Sequence, residues 1–275
     1  MFPVPESRPI LSLLNSGRWL FALAMLAFGI QHFIYAAYGM GLGPPWILSS
    51  PVWAWLIAMV FASTAIAMLA ATKPRLAALV LAFMLFLFVL IQRLPRLLLT
   101  IHDPGPWTSG AEVLALCGGA LIVAGTFPAE RPPLIRDDKA ISKIIVLGRY
   151  IFALPLIVFG VQHFLYGRFV ATLVPGWVPG RLFWVYLIGC AFCATTLAVV
   201  TQINARMAAT LLGLMFFLWV LIVHAPRVAG ASRNGNEWTS LFVALAMSGS
   251  SWALAGSVPE RLIGRVLSRV ELSNR

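Results

Sequence analysis

Phe28-Gly29-Ile30-Gln31-His32-Phe33-Ile34-Tyr35 returns later in the chain as Phe159-Gly160-Val161-Gln162-His163-Phe164-Leu165-Tyr166. The offset is 131 residues, and it holds without a gap on both sides of the segment. Gly17-Arg18-Trp19 matches Gly148-Arg149-Tyr150, and Pro44 and Trp46 match Pro175 and Trp177. Pro95-Arg96 matches Pro226-Arg227, and Trp107-Thr108-Ser109 matches Trp238-Thr239-Ser240. Between residues 17–128 and 148–259, 41 of 112 aligned positions are identical. Two copies of one unit cover nearly the whole chain, so the fold of one copy predicts the fold of the other.

Composition decides what that unit is. Of 275 residues, 60% are hydrophobic and 11% charged, where a soluble domain carries about 25% charged residues. Mean hydropathy is +0.90. These values exclude a soluble enzyme, a disordered chain and a disulfide-stapled secreted module. Each copy holds four apolar runs long enough to cross a bilayer, at 18–38, 51–71, 76–98 and 109–127, then at 149–168, 182–201, 207–229 and 239–257. The predicted fold is an all-α integral membrane protein, with eight transmembrane helices as two parallel-repeat four-helix bundles. Its segments are an N-terminal stretch (1–16), the first repeat (17–128), a polar linker (129–147), the second repeat (148–259) and a basic tail (260–275).

The net charge of +11 reflects membrane orientation rather than nucleic-acid binding. Alternate connections hold 14 Lys and Arg on one side and 6 on the other, which predicts both termini in the cytoplasm of a bacterial-type inner membrane. Four spans per copy then give both repeats the same orientation. In the tail, Leu262, Ile263, Val266, Leu267 and Val270 oppose Arg261, Arg265 and Arg269 at helical spacing. That pattern suits a helix lying on an anionic cytoplasmic leaflet. Cys117, Cys190 and Cys193 give no disulfide framework, and Cys190-x-x-Cys193 falls near mid-membrane, where small-residue packing explains it. The first apolar run is too long for a cleavable signal peptide.

Chemistry concentrates at one end of each repeat. Gly29, His32 and Tyr35, and likewise Gly160, His163 and Tyr166, share one helix face. A histidine in lipid is costly and should face the bundle interior or a wet cavity. It can clamp helices together with Gln31 or Gln162, or bind a ligand and move protons. Haem held between the two copies is disfavoured, because no second histidine lies on either helix, and no metal site is predicted. At the end of the third span, Arg93-Leu94-Pro95-Arg96 faces His224-Ala225-Pro226-Arg227 in the alignment. Arg96 and Arg227 either snorkel to headgroups or grip an anionic or carbonyl-bearing ligand. The loops that follow bring Asp103 and Trp107 in one copy, and Glu237 and Trp238 in the other. Glu112 has no acidic counterpart, since position 243 is Val, and is expected to pair with an arginine.

The Gly-Arg opening, Phe-Gly-x-Gln-His-Phe closing the first helix, Pro-Arg closing the third and Trp-Thr opening the fourth together resemble DoxX-like membrane proteins. The resemblance spans residues 17–128 and 148–259. It implies four-helix membrane units associated with redox complexes, since the family's namesake is a subunit of a thiosulfate:quinone oxidoreductase. It carries over no catalytic residue. The expected function is a membrane subunit of a quinone-linked oxidoreductase, with protein partners and no covalently bound cofactor. The expected ligand-binding residues are Gln162, His163, Tyr166, Arg227 and Trp238, with first-repeat counterparts Gln31, His32, Tyr35, Arg96 and Trp107. His163, His224 and Glu237 are the catalytic candidates; whether the chain is itself an enzyme stays open. The alternative is a non-catalytic structural subunit of a respiratory or photosynthetic complex. A small-molecule transporter ranks third, because no span shows a deeply intramembrane charge or a clear break.

Overall fold

Among the described residues, eight helical segments are long and apolar enough to cross a membrane, so the chain is a multi-pass, all-α membrane protein. The structure, a computed structural model, describes residues 8–37, 51–128 and 138–258. The basic tail, Pro44, Trp46 and the first part of the linker (129–137) lie outside the described residues. The first repeat supplies α1 (Arg8–Ala37), α2 (Pro51–Leu69), α3 (Pro74–Phe88), α4 (Leu94–Leu99) and α5 (Pro104–Thr126). The second supplies α6 (Asp138–Ala153), α7 (Pro155–Leu165), α8 (Gly167–Leu173), α9 (Arg181–Thr201), α10 (Ala205–Trp219), α11 (Ala225–Gly230) and α12 (Gly235–Ser257). Helix α1 starts ahead of the predicted span, and α6 starts inside the predicted linker.

Three spans are interrupted, which corrects the expectation of unbroken helices. A π turn at Val89–Arg93 joins α3 to α4, and another at Val220–His224 joins α10 to α11. Their positions differ by the same 131 residues. Pro95 and Pro226 are the cause. A proline has no N–H to give the preceding turn, and its ring collides with the carbonyl four residues back. The ladder widens by one residue to absorb this, so the Leu94 N–H reaches Val89 O and the Ala225 N–H reaches Val220 O. Pro155 breaks the fifth span between α6 and α7, where the first copy carries Ala24 and α1 runs through.

The two repeats interlock. Helix α1 packs on α2 of its own repeat and on α12 of the other, while α6 packs on α5. Small residues allow this. A Cβ on Gly17 would strike the backbone of Gly249 and Ala253, and one on Gly148 would strike Leu121 and the Gly118 carbonyl. Without water to drive apolar association in lipid, such close backbone contact is what holds helices together. At the centre, α5 crosses α12 with Gly119 against Ser250, two residues at equivalent positions. Large side chains such as Phe83, Leu98 and Leu197 point outward and suit lipid. At one end, Arg149 Nη2 donates to Ser257 O at 3.0 Å and Arg206 Nη2 to Val258 O at 2.7 Å. Both cap the open carbonyls at the end of α12, as cations favour.

Candidate functional site

The opposite end holds His32 and His163. In each repeat, ring nitrogen Nδ1 lies close to the carbonyl one turn earlier: His32 to Phe28 O at 2.8 Å, and His163 to Phe159 O at 2.7 Å. A carbonyl can only accept, so Nδ1 carries the proton and Nε2 is left as a lone-pair acceptor. His163 stacks on Trp219 with ring centres 6.3 Å apart and meets Phe192 edge-on at 5.4 Å. Gly160 lets this helix approach α9, since a Cβ there would meet Cys193 Sγ and Gly189 O. Gly29 lies in the same way against Ala58 and Ala62. The space beside these glycines is filled by a neighbouring helix, so neither opens a slot for a porphyrin.

The glutamines are clamps. Gln31 Nε2 donates to Gly235 O at 2.9 Å and to Thr239 Oγ1 at 2.7 Å. Gln162 Nε2 donates to Pro104 O at 3.0 Å, and Thr108 Oγ1 donates to Gln162 Oε1 at 2.8 Å. Each therefore ties the first span of one repeat to the fourth span of the other. The tryptophans are also committed locally: Trp107 Nε1 donates to Ile101 O and Trp238 Nε1 to Ser232 O, both at 2.8 Å. Asp103 caps α5 by accepting from the Gly105 N–H, and Asn234 caps α12 in the same manner.

Arg227 and Glu237 form an ion pair. Nη2 donates to Oε1 at 2.9 Å, and Nε sits 2.8 Å from Oε2, off the hydrogen-bond line. The arginine expected to grip a ligand is thus already met by an acid. Its counterpart Arg96 is exposed, and the position matching Glu237 is Pro106, a buried residue in the first turn of α5.

A cavity of about 640 Å³ opens in the second repeat. It brings together Gln162, His163, Tyr166, His224 and Arg227, five of the residues singled out from sequence. Trp238 and Glu237 do not line it, nor do Gln31, His32, Arg96 and Trp107. Tyr35 lies on α1, with its side chain outside the described ones. The walls are largely apolar, with Phe159, Phe192, Phe216 and Trp219 among them. That combination of greasy walls and a few convergent polar groups is the usual make-up of a ligand site.

Sequence reasoning missed the first repeat's share of this cavity. Pro104, Gly105, Thr108 and Glu112 of α5 form one wall. Glu112 stands eight residues inside its span, about 12 Å along the helix, so an ionisable group does lie within a candidate membrane span. Arg93 lies within its electrostatic reach, as the sequence suggested, although the Arg93 Nε is buried without a hydrogen-bond partner. The signal was there in the missing counterpart at Val243, but the wall it joins is set by the interlock. No group of three or more His, Cys, Asp or Glu side chains converges among the described residues. No family model, curated protein or solved structure matches the chain.

Proposed function

We propose that the chain is a DoxX-like membrane subunit of a quinone-linked oxidoreductase, produced by tandem duplication, that binds a quinone-type ring in the second repeat's cavity. The observation that carries this reading is the convergence of His163, Tyr166, His224 and Arg227 on one aromatic-walled space of about 640 Å³. A quinone head with part of its tail falls within the ordinary size range of such sites, about 300–1,000 Å³. In the proposed orientation this end faces outward and both termini lie in the cytoplasm of an inner membrane, with the basic tail against anionic lipid. Electrons would pass to or from a redox centre on a partner subunit.

The test is binding of a short-tailed quinone analogue to the purified protein in mild detergent, with co-purifying subunits identified in the same preparation. His163→Ala should weaken binding several-fold, as loss of a ligand contact does, and His32→Ala should leave it unchanged. Equal loss from both substitutions would remove the assignment to the second repeat. A structural subunit is the second reading, favoured by the glutamines and tryptophans, whose polar atoms mostly serve helix and loop contacts. Stable assembly with partners and no analogue binding would select it.

A further inference from the structure

The hydrogen-bonding groups around the cavity are unequally spent. Gln162 uses its amide nitrogen and oxygen on Pro104 and Thr108. Ser240 Oγ donates to Asn236 O at 3.0 Å. Arg227, the cation on the wall, is met by Glu237. What remains includes the Tyr166 O–H, which can donate or accept, and two acceptors. His163 presents Nε2 with no partner among the described residues, because Nδ1 is fixed on Phe159 O. Glu112, one turn beyond Thr108 on α5, brings a carboxyl group to the same wall, with Arg93 as its charge neighbour. A carboxylate only accepts, and a protonated carboxyl still keeps its carbonyl oxygen as an acceptor. The Thr108–Gln162 bond pins α5 beside α7, so Glu112 and His163 flank the same space from two helices. His224 Nδ1 is buried without a partner, and its ring can serve as donor or acceptor.

We infer that the cavity selects a ligand that donates hydrogen bonds: an amphipathic hydroxy-aromatic, such as a phenol or a hydroquinone, held through its hydroxyls by His163 Nε2 and Glu112. This rests on the proposed binding of a quinone-type ring and specifies its form as reduced. A quinone offers only carbonyl acceptors: the Tyr166 O–H can meet one, but His163 Nε2 and Glu112 receive no hydrogen, which is unfavourable in an apolar setting. A hydroquinone supplies one O–H to each. The first repeat thereby contributes a ligand-binding residue to the second repeat's site.

The experiment compares four ligands on the purified full-length protein in nanodiscs without oxygen: decylhydroquinone, decylbenzoquinone, a dodecylresorcinol and its dimethyl ether. Resorcinols keep both hydroxyls but cannot be oxidised to a simple quinone. Hydroquinone should bind about tenfold tighter than quinone, and resorcinol about tenfold tighter than its ether, the upper end of what one net hydrogen bond contributes. Glu112→Val installs the residue found at the equivalent position 243 and should erase both preferences. Glu112→Gln keeps an acceptor oxygen and should retain most of them. His163→Phe keeps a ring against Trp219 and should reduce both, which covers the case in which the Glu112 variant does not fold. Equal binding of hydroquinone and quinone, or of resorcinol and its ether, overturns the inference while leaving a ring-binding cavity. A preference for resorcinol over its ether without hydroquinone binding upholds donor selection and removes the quinone-linked function. No binding by any of the four overturns both.

Discussion

Arg227 and Glu237 face each other across a single turn and loop, with Nη2 to Oε1 at 2.9 Å, and this bond has no equivalent at Arg96. The pair is only partly exposed, with Glu237 the more enclosed partner. Hydrogen bonds to charged groups contribute about 1.5–3 kcal/mol. Arg227→Ala or Glu237→Ala should therefore cost about that much stability, read as a lower thermal midpoint in detergent. Arg96→Ala should stay within roughly 0.5 kcal/mol, as surface substitutions do. If all three substitutions cost the same, the pair is not the anchor described.

Gln31 and Gln162 sit at two separate junctions between the repeats. Interhelical hydrogen bonds in membranes average about 0.6 kcal/mol and reach about 1.7. Gln31→Leu and Gln162→Leu should each lower stability by that order, and the double variant should show the sum, because the sites share no partner. Unfolding in a denaturing detergent would measure it. A strongly non-additive double variant would mean that the two junctions open as one.

Close packing makes a sharper prediction. Gly17→Val and Gly148→Val place atoms where backbone or Cβ atoms of the other repeat already stand. Both should abolish a monodisperse folded species on size exclusion. Gly176→Ala is the control, since nothing lies within 4 Å of its added Cβ, and it should behave as the parent protein.

Orientation is tested by reporter fusions. Fusions at residues 73 and 137 should report cytoplasm, and fusions at 104 and 234 the outer side. A reversal at 137 alone would break the shared orientation of the repeats.

The eight spans were legible because apolar length in a bilayer leaves few alternatives to a helix. The cluster of His163, Tyr166, His224 and Arg227 was legible too, because the 131-residue offset marked where polar residues recur or diverge. The π turns were half-visible. Pro95 and Pro226 announced a disturbance, but whether a helix kinks, ends or widens depends on its neighbours. Glu112 was read as a residue of its own repeat, and its place in the other repeat's cavity was not. Hydropathy orders spans along the chain but does not say which fourth helix lies against which first. The clue was in Gly17, Gly118, Gly148 and Gly249, whose missing side chains marked the crossings.

The exchange of fourth helices gives the two halves the geometry of partners. A lone four-span unit with these surfaces would leave its first and fourth helices each without the neighbour that covers it here, and two identical copies would satisfy one another by trading those helices. In this arrangement the two halves stand to each other as the subunits of a symmetric dimer would. Within one chain the halves can differ, with Glu112 against Val243 and His224 against Arg93 at matching positions, a pairing no symmetric dimer could confine to one side.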